Sequence, residues 1–179
     1  MSGEDLAARK AQLRREMRLL RAGISVDAAE RADRSTRLWR SVLGVIAARV
    51  HTAVPAVMLF ESFPTEPDTA KWLADAAERS WSVFVPEVDG PELRVMPGDA
   101  DPHVLDVVVA PGLAFTWDGR RLGQGGGHYD RFIARLGPQC LTVGVCYAEQ
   151  LVDELPTQAH DRTVDVVVTD AGAGSVPRR

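Results

Sequence analysis

The run Val107-Val108-Val109 places apolar side chains on successive residues, and successive residues of a strand point to opposite faces. Such a strand is buried on both sides only in a sheet covered on both faces, the situation of a parallel sheet flanked by helices. Other short apolar runs fit the same frame. Val57-Met58-Leu59-Phe60, Trp81 to Val85, Leu93 to Met96, Asp106 to Ala110, Leu141 to Tyr147 and Val164 to Thr169 are strand candidates. Helices are expected between them, at about Asp68 to Ser80 and Tyr129 to Leu136. Ahead of the first strand, Leu6, Leu13, Met17 and Leu20 recur at helical spacing as far as Gly23. A second helix is expected from an N-cap at Ser25 to about residue 49, with Ala32, Trp39, Leu43 and Ile46 on its apolar stripe. The pattern predicts an α/β fold: a mainly parallel sheet with helices on both faces, in three α/β/α layers, preceded by two N-terminal helices.

With 179 residues and 45% apolar content, the chain is read as one domain spanning residues 1–179, whose Gly- and Ala-rich tail from Ala171 to Arg179 is expected to fray. A formal net charge of -4 with both signs interspersed offers no electropositive face for a nucleic acid. Cys140 and Cys146 are the only cysteines and form no CxxC unit, which points away from a disulfide framework or a thiol-rich metal site. No apolar run approaches the roughly 20 residues needed to cross a bilayer, and the N-terminus is rich in charge. A cytoplasmic monomer with no membrane or nucleic-acid partner is the expectation.

The chemistry is expected in Arg121-Leu122-Gly123-Gln124-Gly125-Gly126-Gly127-His128-Tyr129-Asp130, between a buried strand and a helix. Four glycines in five positions let backbone N–H groups turn toward one point, and the start of the next helix adds unpaired donors. That arrangement suits phosphate oxygens. The loop lacks the Gly-Lys-Ser/Thr ending of a Walker loop, and His128 stands where a dinucleotide fingerprint has its third glycine. The alternative is a mobile surface loop, against which the basic pair Arg120 and Arg121 weighs. A carboxylate beside a triphosphate is repelled unless a divalent cation intervenes, so Asp130 suggests Mg2+. Equally, Asp130 can simply complement the helix dipole. Asp161, in His160-Asp161-Arg162, is either a second carboxylate for the same cation or a turn aspartate.

Lys10 falls inside the apolar stripe of the first helix, so it points toward the body of the protein, and Arg14 follows one turn later at the edge of that face. The two cations can converge on one phosphate chain. Alternatively, Lys10 snorkels out and Arg14 is solvated. Glu66 lies in a loop after a strand, where open α/β sheets bind ligands, and can accept from a ring N–H; it can also serve only to start the next helix. No Gly-x-Ser-x-Gly or His-Glu-x-x-His occurs, so hydrolase and zinc-protease readings lack support.

Lys10-Ala-Gln-Leu-Arg14, Glu66-Pro-Asp-Thr69, Ala110-Pro-Gly-Leu-Ala-Phe115, the glycine loop, Glu149-Gln150 and His160-Asp161 together resemble, in order and spacing, the 5-formyltetrahydrofolate cyclo-ligase family. That resemblance implies ATP contacts from Lys10, Arg14 and the residues Arg121, Leu122, Gly123, Gln124, Gly125, Gly126, Gly127, His128 and Tyr129. It implies folate contacts from Glu61, Glu66 and the loop Gln124 to His128, and Mg2+ on Asp130 and Asp161. Lys10, Arg121 and Tyr129 become the candidate catalytic side chains. The implied reaction phosphorylates the formyl oxygen of 5-formyltetrahydrofolate from ATP, N10 attacks the activated carbon, and phosphate leaves to give the 5,10-methenyl product with ADP. The stretch Pro91 to Asp106 is shorter than the family pattern, which motivates an alternative: a paralogue that binds a nucleotide or phosphorylated ligand without folate turnover.

Overall fold

The valine run does divide between two cores. Val107 and Val109 join Val57, Leu59, Val143 and Val145 in one apolar cluster, while Val108 joins Met58, Leu93, Val95 and Phe132 in another. The computed structural model describes residues 3–175. Their order is α1 (Gly3–Ile24), α2 (Ala28–Arg49), β1 (Ala56–Met58), α3 (Ala70–Glu78), β2 (Ser82–Asp89), β3 (Glu92–Met96), β4 (Val107–Pro111), β5 (Ala114–Phe115), β6 (Arg121–Leu122), α4 (His128–Ile133), β7 (Leu141–Cys146), β8 (Val166–Thr169) and β9 (Gly172–Ser175).

Seven strands form one sheet in the order β3-β2-β1-β4-β7-β8-β9, and β5 pairs separately with β6. The five central strands run parallel. Only the edges, β3 against β2 and β9 against β8, are antiparallel. Helices α2 and α3 cover one face through Leu38, Val42, Ile46, Trp72 and Ala76, and α4 covers the other through Phe132. This is the mainly parallel, helix-flanked sheet that the sequence predicts. From β1 the chain passes through α3 to β2 on one side, and then returns to place β4 on the other side of β1. The switch point therefore falls between β1 and β4, where a crevice opens at the carboxyl ends of the strands.

Several local expectations change. Asp27, not Ser25, caps α2, its carboxylate accepting from the N–H groups of Ala29 and Glu30 at 2.8 and 3.1 Å. A carboxylate two and three residues ahead of those donors has the reach of an N-cap; Ser25 instead donates to the carbonyls of Arg21 and Thr65. Strand β2 runs beyond Val85 through Pro86. Proline is tolerated because β1 pairs only with Ser82 to Phe84, leaving Pro86 bonded on one side alone. The tail expected to fray from Ala171 contains β9, whose backbone pairing with β8 makes up for its small side chains, whereas residues 176–179 lie outside the described residues. Strands β5 and β6, two residues each, carry too little periodicity to be read in advance.

At the strand ends next to α2, the buried Arg34 guanidinium bridges Glu149 at 2.5 and 3.0 Å and Asp170 at 2.5 Å, and stacks 4.7 Å from the centre of the Tyr147 ring. The hydrogen bonds from Arg34 hold the Glu149 carboxyl below its ordinary value. A depressed carboxyl contributes stability that is fully present above the unfolded value near pH 4.5 and is lost as pH falls through the folded one. Thermal unfolding is accordingly expected to show a fall in Tm below about pH 4.5 that is shallower in Glu149→Gln than in the parent chain. Identical acid slopes would contradict this role.

Candidate functional site

One cavity of about 570 Å3 opens at the switch point. It is lined by Phe60 and Glu61 just after β1, by Pro111 and Gly112 at the end of β4, and by Pro86 and Val88 on the part of β2 that extends past β1. Lys10 and Arg14 enter from α1, and Arg121 through Asp130, Gln158, His160 and Asp161 complete the wall. Every residue singled out for a site by the sequence therefore faces the same space: Lys10, Arg14, Glu61, Glu66, the stretch Arg121 to Asp130, and Asp161.

Helix α1 reaches this position because Met17 and Leu13 pack on Leu113, Ala114, Leu122 and Leu155, which lie beyond the strand ends. Burial of that stripe fixes the rotation of the helix and turns Lys10 inward. Its ammonium donates to Asp161 Oδ2 at 2.7 Å and to Gln158 Oε1 at 3.0 Å, and the residue is buried, so it does not snorkel into solvent. Arg14 donates through Nε to the Gly123 carbonyl at 3.0 Å, and Arg18 to the side chain and carbonyl of Gln124 at 3.1 and 3.2 Å. The opening helix is thus stapled to the glycine loop, and Lys10 and the loop share one cavity.

Within the loop, Gly125 and Gly127 have φ of +118 and +67°, values that L side chains rarely adopt. The chain turns there into α4, whose Asp130 meets Arg121 Nη2 at 3.2 Å and accepts from the Arg162 N–H at 3.1 Å. Arg121, its side chain buried, also lies 5.3 Å from the centre of the Tyr129 ring. Burial pushes the Tyr129 phenol above its ordinary value, with Arg121 acting the other way and Glu66 adding to the rise. Its hydroxyl and Arg121 Nε have no hydrogen-bond partner. Arg120 turns away to pair with Asp118 at 3.0 Å, so of the basic pair only Arg121 belongs to the cavity.

Asp130 and Asp161 are drawn together through Arg162, the neighbour of Asp161, and each already has a basic partner, Arg121 and Lys10. Among the described residues no cluster of three or more His, Cys, Asp or Glu side chains is placed to hold a metal ion. Two carboxylates are nonetheless the usual protein share of a Mg2+ site completed by phosphates and water, so the donor set fits that ion.

Some of the wall was not legible beforehand. Glu66 is buried and paired with Arg21, Nη1 to Oε1 at 3.0 Å, a partner that could have been found by continuing the stripe of Lys10 and Met17 one more turn. The hairpin of β2 and β3 supplies Pro86, Val88 and Leu93, and its turn docks on the loop: the Gly90 carbonyl lies 3.2 Å from His128 Nε2, and Arg131 Nε donates to the Pro91 carbonyl at 2.9 Å. The short stretch after Pro91 therefore forms an edge strand that closes one side of the cavity.

Fold and site define a mainly parallel α/β protein with a glycine-rich loop lining a cavity at the switch point of its sheet. The family model of the 5-formyltetrahydrofolate cyclo-ligase family matches residues 88–170. The yeast Saccharomyces cerevisiae 5-formyltetrahydrofolate cyclo-ligase is 38% identical over 89 residues, which are 44% of this chain and 41% of that protein. The matches to the first three curated relatives span only 31% to 47% of their lengths. The Haemophilus influenzae 5-formyltetrahydrofolate cyclo-ligase is 26% identical over 86% of this chain and 93% of its own. Among solved structures, that of Aquifex aeolicus 5,10-methenyltetrahydrofolate synthetase superposes with a TM-score of 0.79 at 25% identity, covering 95% of this chain and 94% of its own. The chain is thus similar to the 5-formyltetrahydrofolate cyclo-ligase family over residues 88–170 and to the Aquifex aeolicus structure over nearly its whole length.

Proposed function

We propose that the chain catalyses the ATP- and Mg2+-dependent closure of 5-formyltetrahydrofolate to 5,10-methenyltetrahydrofolate, releasing ADP and phosphate. The observation that carries this reading is the single cavity shared by Lys10, the glycine loop, Glu66 and the Asp130 and Asp161 pair. Its apolar lining of Phe60, Phe63, Val88 and Leu93 suits a planar heterocycle, and its basic lining of Lys10, Arg14 and Arg121 beside the glycine loop suits a triphosphate.

In this reading the chain mainly positions and neutralises. Lys10, Arg14 and Arg121 hold the phosphate chain, and the glycine loop lets it approach the backbone. Asp130 and Asp161 would hold Mg2+, which supplies charge neutralisation between nucleotide and carboxylates when bound. Tyr129 and Arg121 keep the inner end of the cavity dry and electropositive. Glu66 and Glu61 face the folate, with the loop from Gln124 to His128 between the two ligands. All of these groups come from one chain, which suits a monomer, and no described helix is long and apolar enough to cross a membrane.

Purified protein given 5-formyltetrahydrofolate, ATP and Mg2+ is expected to form a methenyl product that absorbs in the near ultraviolet, with one ADP per product. ATP binding by calorimetry without folate-dependent ADP release would replace this reading with that of a non-catalytic paralogue. Asp130→Asn is expected to lower Mg2+-dependent turnover roughly 10- to 100-fold, as loss of a group that orients a metal site does. Titration of turnover against Mg2+ checks this, because a purely structural role would lower activity without moving the Mg2+ requirement.

A further inference from the structure

Arg21 closes α1 and points beneath the loop that follows β1. Its side chain and that of Glu66 are each 5% exposed. Arg21 Nη1 donates to Glu66 Oε1 at 3.0 Å and the Phe63 N–H donates to Oε2 at 3.0 Å, so the plane of the carboxylate is set from both ends. The backbone around it is tied to the same helical corner, by Ser25 Oγ on the Thr65 carbonyl at 2.9 Å and Arg31 Nε on the Glu66 carbonyl at 2.8 Å. Glu66 lines the cavity, whereas Arg21 does not.

A buried ion pair is a weak device for stability, since desolvation offsets the attraction and apolar residues of like volume often serve a core as well or better. Arg21 Nε has no partner at all, so the guanidinium is not the hub of a satisfied network. What the pair secures is a carboxylate held at a fixed angle in the cavity wall. Each of its oxygens accepts one bond from the protein and retains capacity for a second, the arrangement needed to take two N–H donors of a heterocycle.

We infer that Arg21 is a positioning residue for ligand recognition: without touching the ligand, it holds Glu66 as an oriented anion toward the ring. This rests on the proposal that the cavity takes a reduced folate. A double-mutant cycle over Arg21→Met and Glu66→Gln tests it, with KM measured separately for 5-formyltetrahydrofolate and for MgATP. Arg21→Met is expected to raise the folate KM roughly 10- to 100-fold, as loss of an orienting partner does, with the MgATP KM held within about two-fold. Arg21→Lys should recover most of that loss. In the Glu66→Gln background, Arg21→Met should add less than about two-fold.

Equal rises in both KM values, or an undiminished effect of Arg21→Met in the Glu66→Gln background, would overturn the inference. Should Arg21→Met fail to fold by circular dichroism, Arg21→Lys and the double variant, in which no lone buried charge remains, still decide it. An inactive parent chain would instead overturn the functional proposal, and the inference with it, before any variant is compared.

Discussion

On the function proposed above, Lys10→Ala is expected to lower kcat for ADP-forming ring closure by roughly 100- to 1,000-fold, the usual consequence of removing one preorganised donor from developing negative charge. The ammonium sits in a buried position set by the packed stripe of α1, where the low local dielectric strengthens its field. It also neutralises Asp161, so its loss leaves a largely buried carboxylate facing the phosphates. Both effects act on the phosphoryl group and neither on the folate wall. Steady-state kinetics should therefore show kcat and the MgATP KM affected, with the folate KM little changed. Arg14 Nε is tied to the Gly123 carbonyl, which keeps Arg14 at its own place on the phosphate chain and out of the position that Lys10 vacates. A kcat within ten-fold of the parent would remove Lys10 from the chemistry.

Trp72→Ala is expected to destabilise the fold by about 3–5 kcal/mol, the range for emptying a fully buried aromatic site. Trp72 is 1% exposed on α3, stacks on Trp39 of α2 with ring centres 5.4 Å apart, and meets Phe60 edge-on at 6.4 Å. Its indole N–H donates to the Ser35 carbonyl at 3.0 Å, which would be left without that donor. Three rigid elements frame the site, so they cannot close the space cheaply. Urea unfolding should show the midpoint falling at nearly constant m, with Tm lower by roughly 10 °C. Because Phe60 also lines the cavity, weaker ligand binding should accompany the loss. A change below about 1 kcal/mol would mean the aromatic stack contributes little.

The composition of single segments was enough to foresee much of the architecture. Val107-Val108-Val109 and Leu141 to Tyr147 require cover on both faces, and that cover is supplied by α2 and α3 on one side and α4 on the other. The inward turn of Lys10 was equally legible, being a matter of angle around one helix. Positive φ at Gly125 and Gly127 accords with a run only glycine could form.

Pairing was not legible. Lys10 finds Asp161 across 151 positions and Arg21 finds Glu66 across 45, and no local rule selects between the many carboxylates available to each. The hairpin turn at Gly90 and Pro91 docks on His128 and Arg131 only because β2 outruns β1 by several residues. Periodicity is decided by neighbours along the chain, so sequence alone determined which faces are buried and which run of glycines could turn as the loop beside the cavity does. The partner of a charged group is decided by which surfaces meet after packing, so only the tertiary structure determined how the cavity's charges are held.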